Sequence, residues 1–291
     1  MRSFLASFLL SLVMFSLAIG PAAQAQAPLM SKPELENTPK FRRLDDALEK
    51  RKYAIRLDLS FHEIYSLNSS IANLSELQWL NLANNRLSTL PPAINYLKKL
   101  QYLYCQKNEL KSLPEELGSL HHLRELNLSD NRLSSLPETI DSLQSLEIIW
   151  IEENRFDELP ENFSELASLE KLYAHFSGLK KLPEKIERLE RLQYLDASSN
   201  RISEVPAGIG QLSQLRHLDL SYNRLIKELP DALNNCENLE YLDLRHTSLE
   251  RLPRDLSNLQ SLQYLDVRKT NLSRAELIRV GNQLPDCRIR D

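Results

Sequence analysis

The sequence predicts an α/β solenoid: a horseshoe with about ten parallel strands lining the concave face, short 3-10 or irregular convex segments, and helical caps at both ends. Three observations predict it. Leucines return at fixed offsets every 23 residues from Leu77, Leu100, Leu123, Leu146, Leu169, Leu192, Leu215, Leu239 and Leu262, with one spacing of 24 before Leu239 and a weaker copy from Ala54, ten in all. Each copy holds a stretch such as Leu126-Asn127-Leu128, where apolar and polar residues alternate as in a strand with one face buried. A Leu-Pro step then ends regular pairing, because proline has no amide hydrogen, and only about eight residues remain before the next strand, too few for a full helix.

The pattern L-x-x-L-x-L-x-x-N-x-L-x-x-L-P, with an apolar residue three positions after the proline, is carried in residues 123–145 by Leu123, Leu126, Leu128, Asn131, Leu133, Leu136, Pro137 and Ile140. It resembles the leucine-rich repeat family, in the short 23-residue type of exported bacterial proteins, over residues 54–271. The resemblance implies that the first, fourth and sixth positions point inward and the third and fifth outward onto a concave sheet. It also implies that Asn131 and its equivalents Asn85, Asn108, Asn154, Asn200 and Asn223 are buried, bonding the loop backbone of neighbouring turns. Some copies depart from the pattern. His62, Ser177, Thr247 and Thr270 replace the asparagine, and Ala174, Ala197 and Cys105 are small for the sixth position. Small residues there leave two outcomes open, a change of curvature or room for Phe176 to fold inward.

Taken in order, residues 1–25 read as a signal peptide: Arg2, an uncharged apolar run from Phe4 to Ile19, and Ala23-Gln24-Ala25 as the cleavage motif. Export to the periplasm or beyond the cell follows, with no membrane insertion after cleavage. Residues 26–37, with two prolines and no period, read as a flexible lead. Thr38 before Pro39 predicts a helix start, and Phe41, Leu44, Ala47 and Leu48 share one face, so residues 38–53 are expected to cap the first repeat. Repeats fill residues 54–271. In the C-terminal cap, residues 272–291, Ser273 opens a helix from Arg274 to about Gln283 that Pro285 stops, and Cys287–Arg290 supply a last edge strand.

Net charge of −4 offers no basic field for nucleic acid. No motif for an enzyme appears: six glycines form no phosphate loop, and H-E-x-x-H, C-x-x-C and G-x-S-x-G are missing. His175 near Glu152 on adjacent strands is the one pair with any reactive potential. Neither a cofactor nor a metal site is expected, and His121-His122 reads as surface. Cys105 and Cys236 occupy core slots and Cys287 lies far along the axis, so no disulfide framework is expected. The chain is therefore expected to hold a partner, as a monomer, rather than convert one.

Specificity should lie in the outward columns. The third-position column runs Arg56, Trp79, Tyr102, Glu125, Ile148, Lys171, Tyr194, His217, Tyr241, Tyr264; the fifth runs Asp58, Asn81, Tyr104, Asn127, Trp150, Tyr173, Asp196, Asp219, Asp243, Asp266. Trp79, Tyr102, Tyr104, Trp150, Tyr173 and Tyr194, with Ile148, predict a solvent-facing aromatic strip of the kind that anchors protein interfaces, or, as an alternative, stacks on carbohydrate. Arg245 and Arg268 are placed to neutralise Asp243 and Asp266. Asp196 and Asp219, beside Tyr194 and His217, have only Ser198 and Ser221 there: either the aspartates serve solubility, as the resemblance implies for this slot, or they form an acidic site for a basic side chain, with a calcium ion the lesser alternative. The expected partner site is thus Trp79, Tyr102, Tyr104, Trp150, Tyr173, Tyr194, Asp196, His217 and Asp219.

Overall fold

The structure, a computed structural model, describes residues 28–291; the signal-peptide reading of residues 1–25 lies outside them. Twelve parallel strands form one open sheet in sequence order. They are β1 (Lys40–Phe41), β2 (Arg56–Asp58), β3 (Trp79–Asn81), β4 (Tyr102–Tyr104), β5 (Glu125–Asn127), β6 (Ile148–Trp150), β7 (Lys171–Tyr173), β8 (Tyr194–Asp196), β9 (His217–Asp219), β10 (Tyr241–Asp243), β11 (Tyr264–Asp266) and β12 (Arg288–Arg290). Equivalent residues pair in register, as in Tyr173 with Asp196 and Asp196 with Asp219, so each outward column becomes a row of neighbours on the concave face. The 23-residue period delivers the ten central strands; β1 and β12 extend the sheet at each end, where the caps pair with the outermost repeats.

Behind the sheet, leucines of every copy form one continuous core; Leu123, Leu126, Leu128, Leu133, Ile140 and Leu143 are all fully buried. The convex side returns through short 3-10 turns such as Glu115–Ser119, Glu138–Ser142 and Glu161–Glu165. Pro114, Pro137 and Pro160 precede them with φ near −65°, the value their rings impose. The asparagines act as the resemblance implied. Asn131 Nδ2 donates to the carbonyls of Leu128 (2.9 Å) and Cys105 (3.0 Å), and its Oδ1 accepts from the Leu110 amide (3.0 Å), tying each turn to the preceding one. Ser177 keeps part of this, donating to Ile151 O at 2.9 Å, whereas Thr247 and Thr270 bond only within their own turn. The residue before this position takes positive φ in every copy, among them Asp130 (52°), Phe176 (50°) and Tyr222 (59°).

In copy six Phe176 does not fold inward but stays outside, 63% exposed; Phe156 and Phe163 of copy five are the largest fully buried side chains, and Ala174 is buried in the same core. Gly178 is required here: its φ is +91° and a Cβ would approach the Phe156 carbonyl oxygen to 2.7 Å. The extra residue of copy eight shifts the core slot, so that Ile226 is buried and Leu225 is 56% exposed.

The N-terminal region departs most from expectation. Residues from Pro28 onward are an ordered strap rather than a loose lead, including a short helix α1 (Lys32–Glu36) with a Ser31–Glu34 capping box. Thr38 does not start a helix; its hydroxyl donates to Leu35 O at 2.7 Å, β1 follows, and the cap helix α2 (Leu44–Glu49) begins after Arg43. At the other end Ser273 caps α3 (Arg274–Gln283) by accepting from the Glu276 amide, and Val280 and Leu284 are buried against the last repeat.

Candidate functional site

Parallel strands in register lift outward side chains to a common height about 4.8 Å apart, which suits aromatic stacking along the solenoid axis. Such a stack runs through six rings. Trp150 lies on Tyr173 (centroids 5.5 Å, interplanar 8°), Tyr173 meets Tyr194 (4.8 Å), and Tyr194 lies on His217 (4.1 Å, 8°). His217 then lies on Tyr241 (4.3 Å, 5°), and Tyr241 on Tyr264 (4.9 Å, 7°). The ladder changes column between Tyr173 and Tyr194, crossing the sheet diagonally from the fifth position to the third.

The predicted strip is not continuous. Trp79 and Tyr104 form a separate tilted pair at 5.6 Å, capped by Arg56 at 4.5 Å from the Trp79 ring. Tyr102, expected to face solvent, is only 2% exposed. The strap covers it: Lys32 Nζ sits 5.6 Å above its ring and donates to both Glu125 oxygens at 2.7 and 2.8 Å, while Tyr104 OH donates to the same carboxylate at 2.7 Å. Gln78 and Gln101, both buried, hold the strap by its backbone. Met30 N donates to Gln78 Oε1 (2.8 Å), Gln78 Nε2 donates to Pro28 O (2.9 Å), and Gln101 Nε2 donates to Met30 O (2.9 Å). Leu35 is fully buried although outside the main core. Nothing periodic in residues 28–38 signals this docking, which is why sequence reasoning missed it.

Beside the ladder stands the acidic row. Arg268 grips Asp266 through both Nε (2.9 Å) and Nη2 (2.6 Å), whereas Arg245 Nε only approaches Asp243, at 3.3 Å. The electrostatics follow: burial works against both charges, yet the Arg268 hydrogen bonds hold the Asp266 carboxyl below the usual range, while Asp243 is pushed up. Asp196 and Asp219 have no lysine or arginine partner among the described residues; each accepts hydrogen bonds only from the serine two positions on, Ser198 (3.0 Å) and Ser221 (2.9 Å). Burial, with Asp243 and Asp196 nearby, pushes Asp219 up to about 6.

Glu152, one strand position beyond Ile151, joins this group. It is 9% exposed and its Oε2 has no hydrogen-bond partner. Burial first, then the charges of Asp196 and Glu153, push it up to about 7. His175 Nδ1 stands 3.9 Å from Glu152 Oε1 and 3.8 Å from Asp196 Oδ2, beyond hydrogen-bond reach of either. Burial lowers His217. No group of three or more His, Cys, Asp or Glu among the described residues is disposed to hold a metal ion. A depression of about 440 Å³ lies elsewhere, between Met30, Gln101 and the Arg124–Glu147 ion pair.

Cys105, Cys236 and Cys287 are free thiols. No described helix is long and apolar enough to cross a membrane.

Family models match along the repeats: a leucine-rich repeat region over residues 105–178, paired leucine-rich repeats over 75–119 and 190–235, and a leucine-rich repeat over 228–272, together more than half of the chain. No curated protein matches. Among solved structures, an internalin, InlF, from Listeria monocytogenes is similar at 22% identity and a TM-score of 0.73, over 87% of this chain and 71% of that one. A chain of the octameric complex of latrophilin 3, Unc5D and FLRT2, the last contributing its leucine-rich repeats, is 23% identical with a TM-score of 0.68, over 82% and 83%. The PEPR1–AtPEP1 structure is 25% identical with a TM-score of 0.62; the match takes in 83% of this chain and 39% of that one.

Proposed function

This chain belongs to the leucine-rich repeat family, and on that premise we propose that it is an exported, non-enzymatic recognition module binding a protein or peptide segment on its concave face between β6 and β10. Family membership supports an interaction scaffold, since stacked repeats create an extended concave surface that presents side chains without a catalytic cleft. The observation that carries the proposal is the ladder from Trp150 to Tyr241, on β6 to β10, beyond the strands where the strap is anchored at Gln78, Gln101 and Glu125. Rings held in register lose little freedom on binding and present hydroxyl, indole and imidazole edges, the chemistry of interface anchors. Asp196 and Asp219 beside it supply polarity, and Phe176, 63% exposed at the rim, adds apolar area.

A peptide fits this surface better than a sugar. Carbohydrate stacking needs free ring faces, and here Tyr173, Tyr194 and His217 each have a ring on both sides, while Trp150 has one on one side. Export rests on Arg2, the apolar run from Phe4 to Ile19 and the Ala23-Gln24-Ala25 motif. The test is to select binders from a random peptide library on the full chain and measure them on Trp150→Ala with Tyr173→Ala. Loss of about tenfold or more in affinity, with circular dichroism unchanged, is expected; unaltered affinity would reject the ladder as the site.

A further inference from the structure

Every concave carboxylate but three has an answering cation. Lys40 bonds Asp58 at 2.7 Å, Lys32 bonds Glu125, Arg245 faces Asp243 and Arg268 grips Asp266. Glu152, Asp196 and Asp219 have no lysine or arginine partner among the described residues; His175 Nδ1 stands 3.9 Å from Glu152 and 3.8 Å from Asp196, and bonds neither. The Asp196 charge adds to burial in raising both Glu152 and Asp219, a standing cost in a fold that elsewhere neutralises its aspartates. Among them, Glu152 is nine-tenths buried with Oε2 unpartnered, an unmade hydrogen bond of the kind proteins rarely leave.

The same face shows what fills such a place. At Glu125 a carboxylate, a tyrosine hydroxyl and a tyrosine ring together receive the Lys32 ammonium, at 2.7 and 2.8 Å from the carboxylate and 5.6 Å above the Tyr102 ring. Glu152 and Asp196, with the Tyr173 and Tyr194 rings tilted together at 4.8 Å, repeat those components one to three strands along the solenoid.

We propose that Glu152, Asp196 and Asp219 form a receptor for a basic side chain, arginine or lysine, carried by the partner segment and seated beside the Tyr173, Tyr194 and His217 rings. This rests on the concave-face function above and names the chemistry of its ligand. The cation donates to carboxylate oxygens that have unused acceptor capacity, and its planar or methylene surface lies along the ring edges. Occupation favours the ionised form of Glu152 and Asp219, which burial and the Asp196 charge disfavour.

The test titrates the full chain, labelled at tyrosine and histidine rings for NMR, with N-acetyl-arginine amide and its neutral isostere N-acetyl-citrulline amide. Resonances of Tyr173, Tyr194 and His217 are expected to move with the arginine probe, and the citrulline probe to bind about tenfold or more weakly, as charge-assisted bonds require. Asp196→Asn with Asp219→Asn should abolish the difference. Asparagine retains the Oδ1 acceptor for the Ser198 and Ser221 amides, so the turn survives, and Glu152→Gln serves as a milder second variant. Equal shifts from both probes, shifts confined to Tyr102 and Tyr104, or a response unchanged in the asparagine variant would overturn the proposal. Library peptides separate its fate from that of the broader function. Binders lost in the Trp150/Tyr173 variant but retained in the Asp196/Asp219 variant reject the basic receptor alone; binders retained in both reject the concave ladder as well.

Discussion

Glu152→Gln should make the protein more stable, and only above mild acidity. The fold raises this carboxyl from 4.5 to about 7, chiefly by burial. A carboxyl with a folded pKa above its unfolded one binds its proton more tightly in the native state. The fold is therefore unpenalised while the group is protonated in both states, below about pH 4, and progressively penalised as pH rises to about 7, above which the penalty is constant. Moving a carboxyl that far costs its ionised form at most ~3 kcal/mol. His175 beside it is 40% exposed and brings solvent close to the carboxylate, and screening reduces this cost to ~1–2 kcal/mol. The amide keeps the shape of the side chain and removes the charge, so no cavity term enters. Urea unfolding followed by circular dichroism at about pH 4 and about pH 8 reads the effect as a shift of midpoint, which remains meaningful even where a solenoid unfolds in stages. The variant should match the parent in acid and unfold at higher urea near pH 8. An equal gain at both pH values, or no gain at pH 8, would show that Glu152 is not held as a strained charge. Stability gained where binding is lost is the usual trade at a recognition site.

Asn131→Ala removes two donated bonds and the acceptor for the Leu110 amide, and should lower stability by ~2–4 kcal/mol; Asn131→Ser, imitating Ser177, should cost about half as much, both read by urea midpoint. Burial pushes the Cys236 thiol up to about 12 and Cys287 to about 11, and Cys105 higher still, so alkylation of the native protein near pH 8 should mark Cys287 slowly and spare the others. Denatured protein should show three reactive thiols by intact mass, and any disulfide would contradict this. Lys32→Ala loses a partly exposed ion pair of ~1 kcal/mol or less, leaving global stability nearly unchanged, but should hasten protease cleavage within residues 28–38 as the strap loosens from Glu125.

The solenoid was legible because its information is repeated: the leucine spacing, the asparagines and the Leu-Pro steps each recur, and a misreading of one copy is corrected by the next. Arg245 and Arg268 were likewise found by strand parity, two residues beyond the aspartates they face. Residues that act only once were not legible. Pro28–Thr38 carry no period, and their docking depends on Gln78 and Gln101, which look like ordinary polar residues before a strand. Tyr102 was misplaced as exposed for the same reason. The columns identified the rings but not their diagonal passage from Tyr173 to Tyr194, which depends on side-chain height rather than sequence position. Glu152 was noticed only as a companion of His175; its isolation emerges once the partners of every other concave carboxylate are known.

Photocrosslinking tests the central claim most directly. Benzoylphenylalanine placed at Tyr194, on the concave ladder, or at Glu184, exposed on the convex side, gives two otherwise equivalent probes for the peptides selected on the full chain. The concave-face account predicts crosslinks from position 194 that unlabelled peptide competes away, and none above background from position 184. Crosslinking from position 184 with position 194 silent would contradict it.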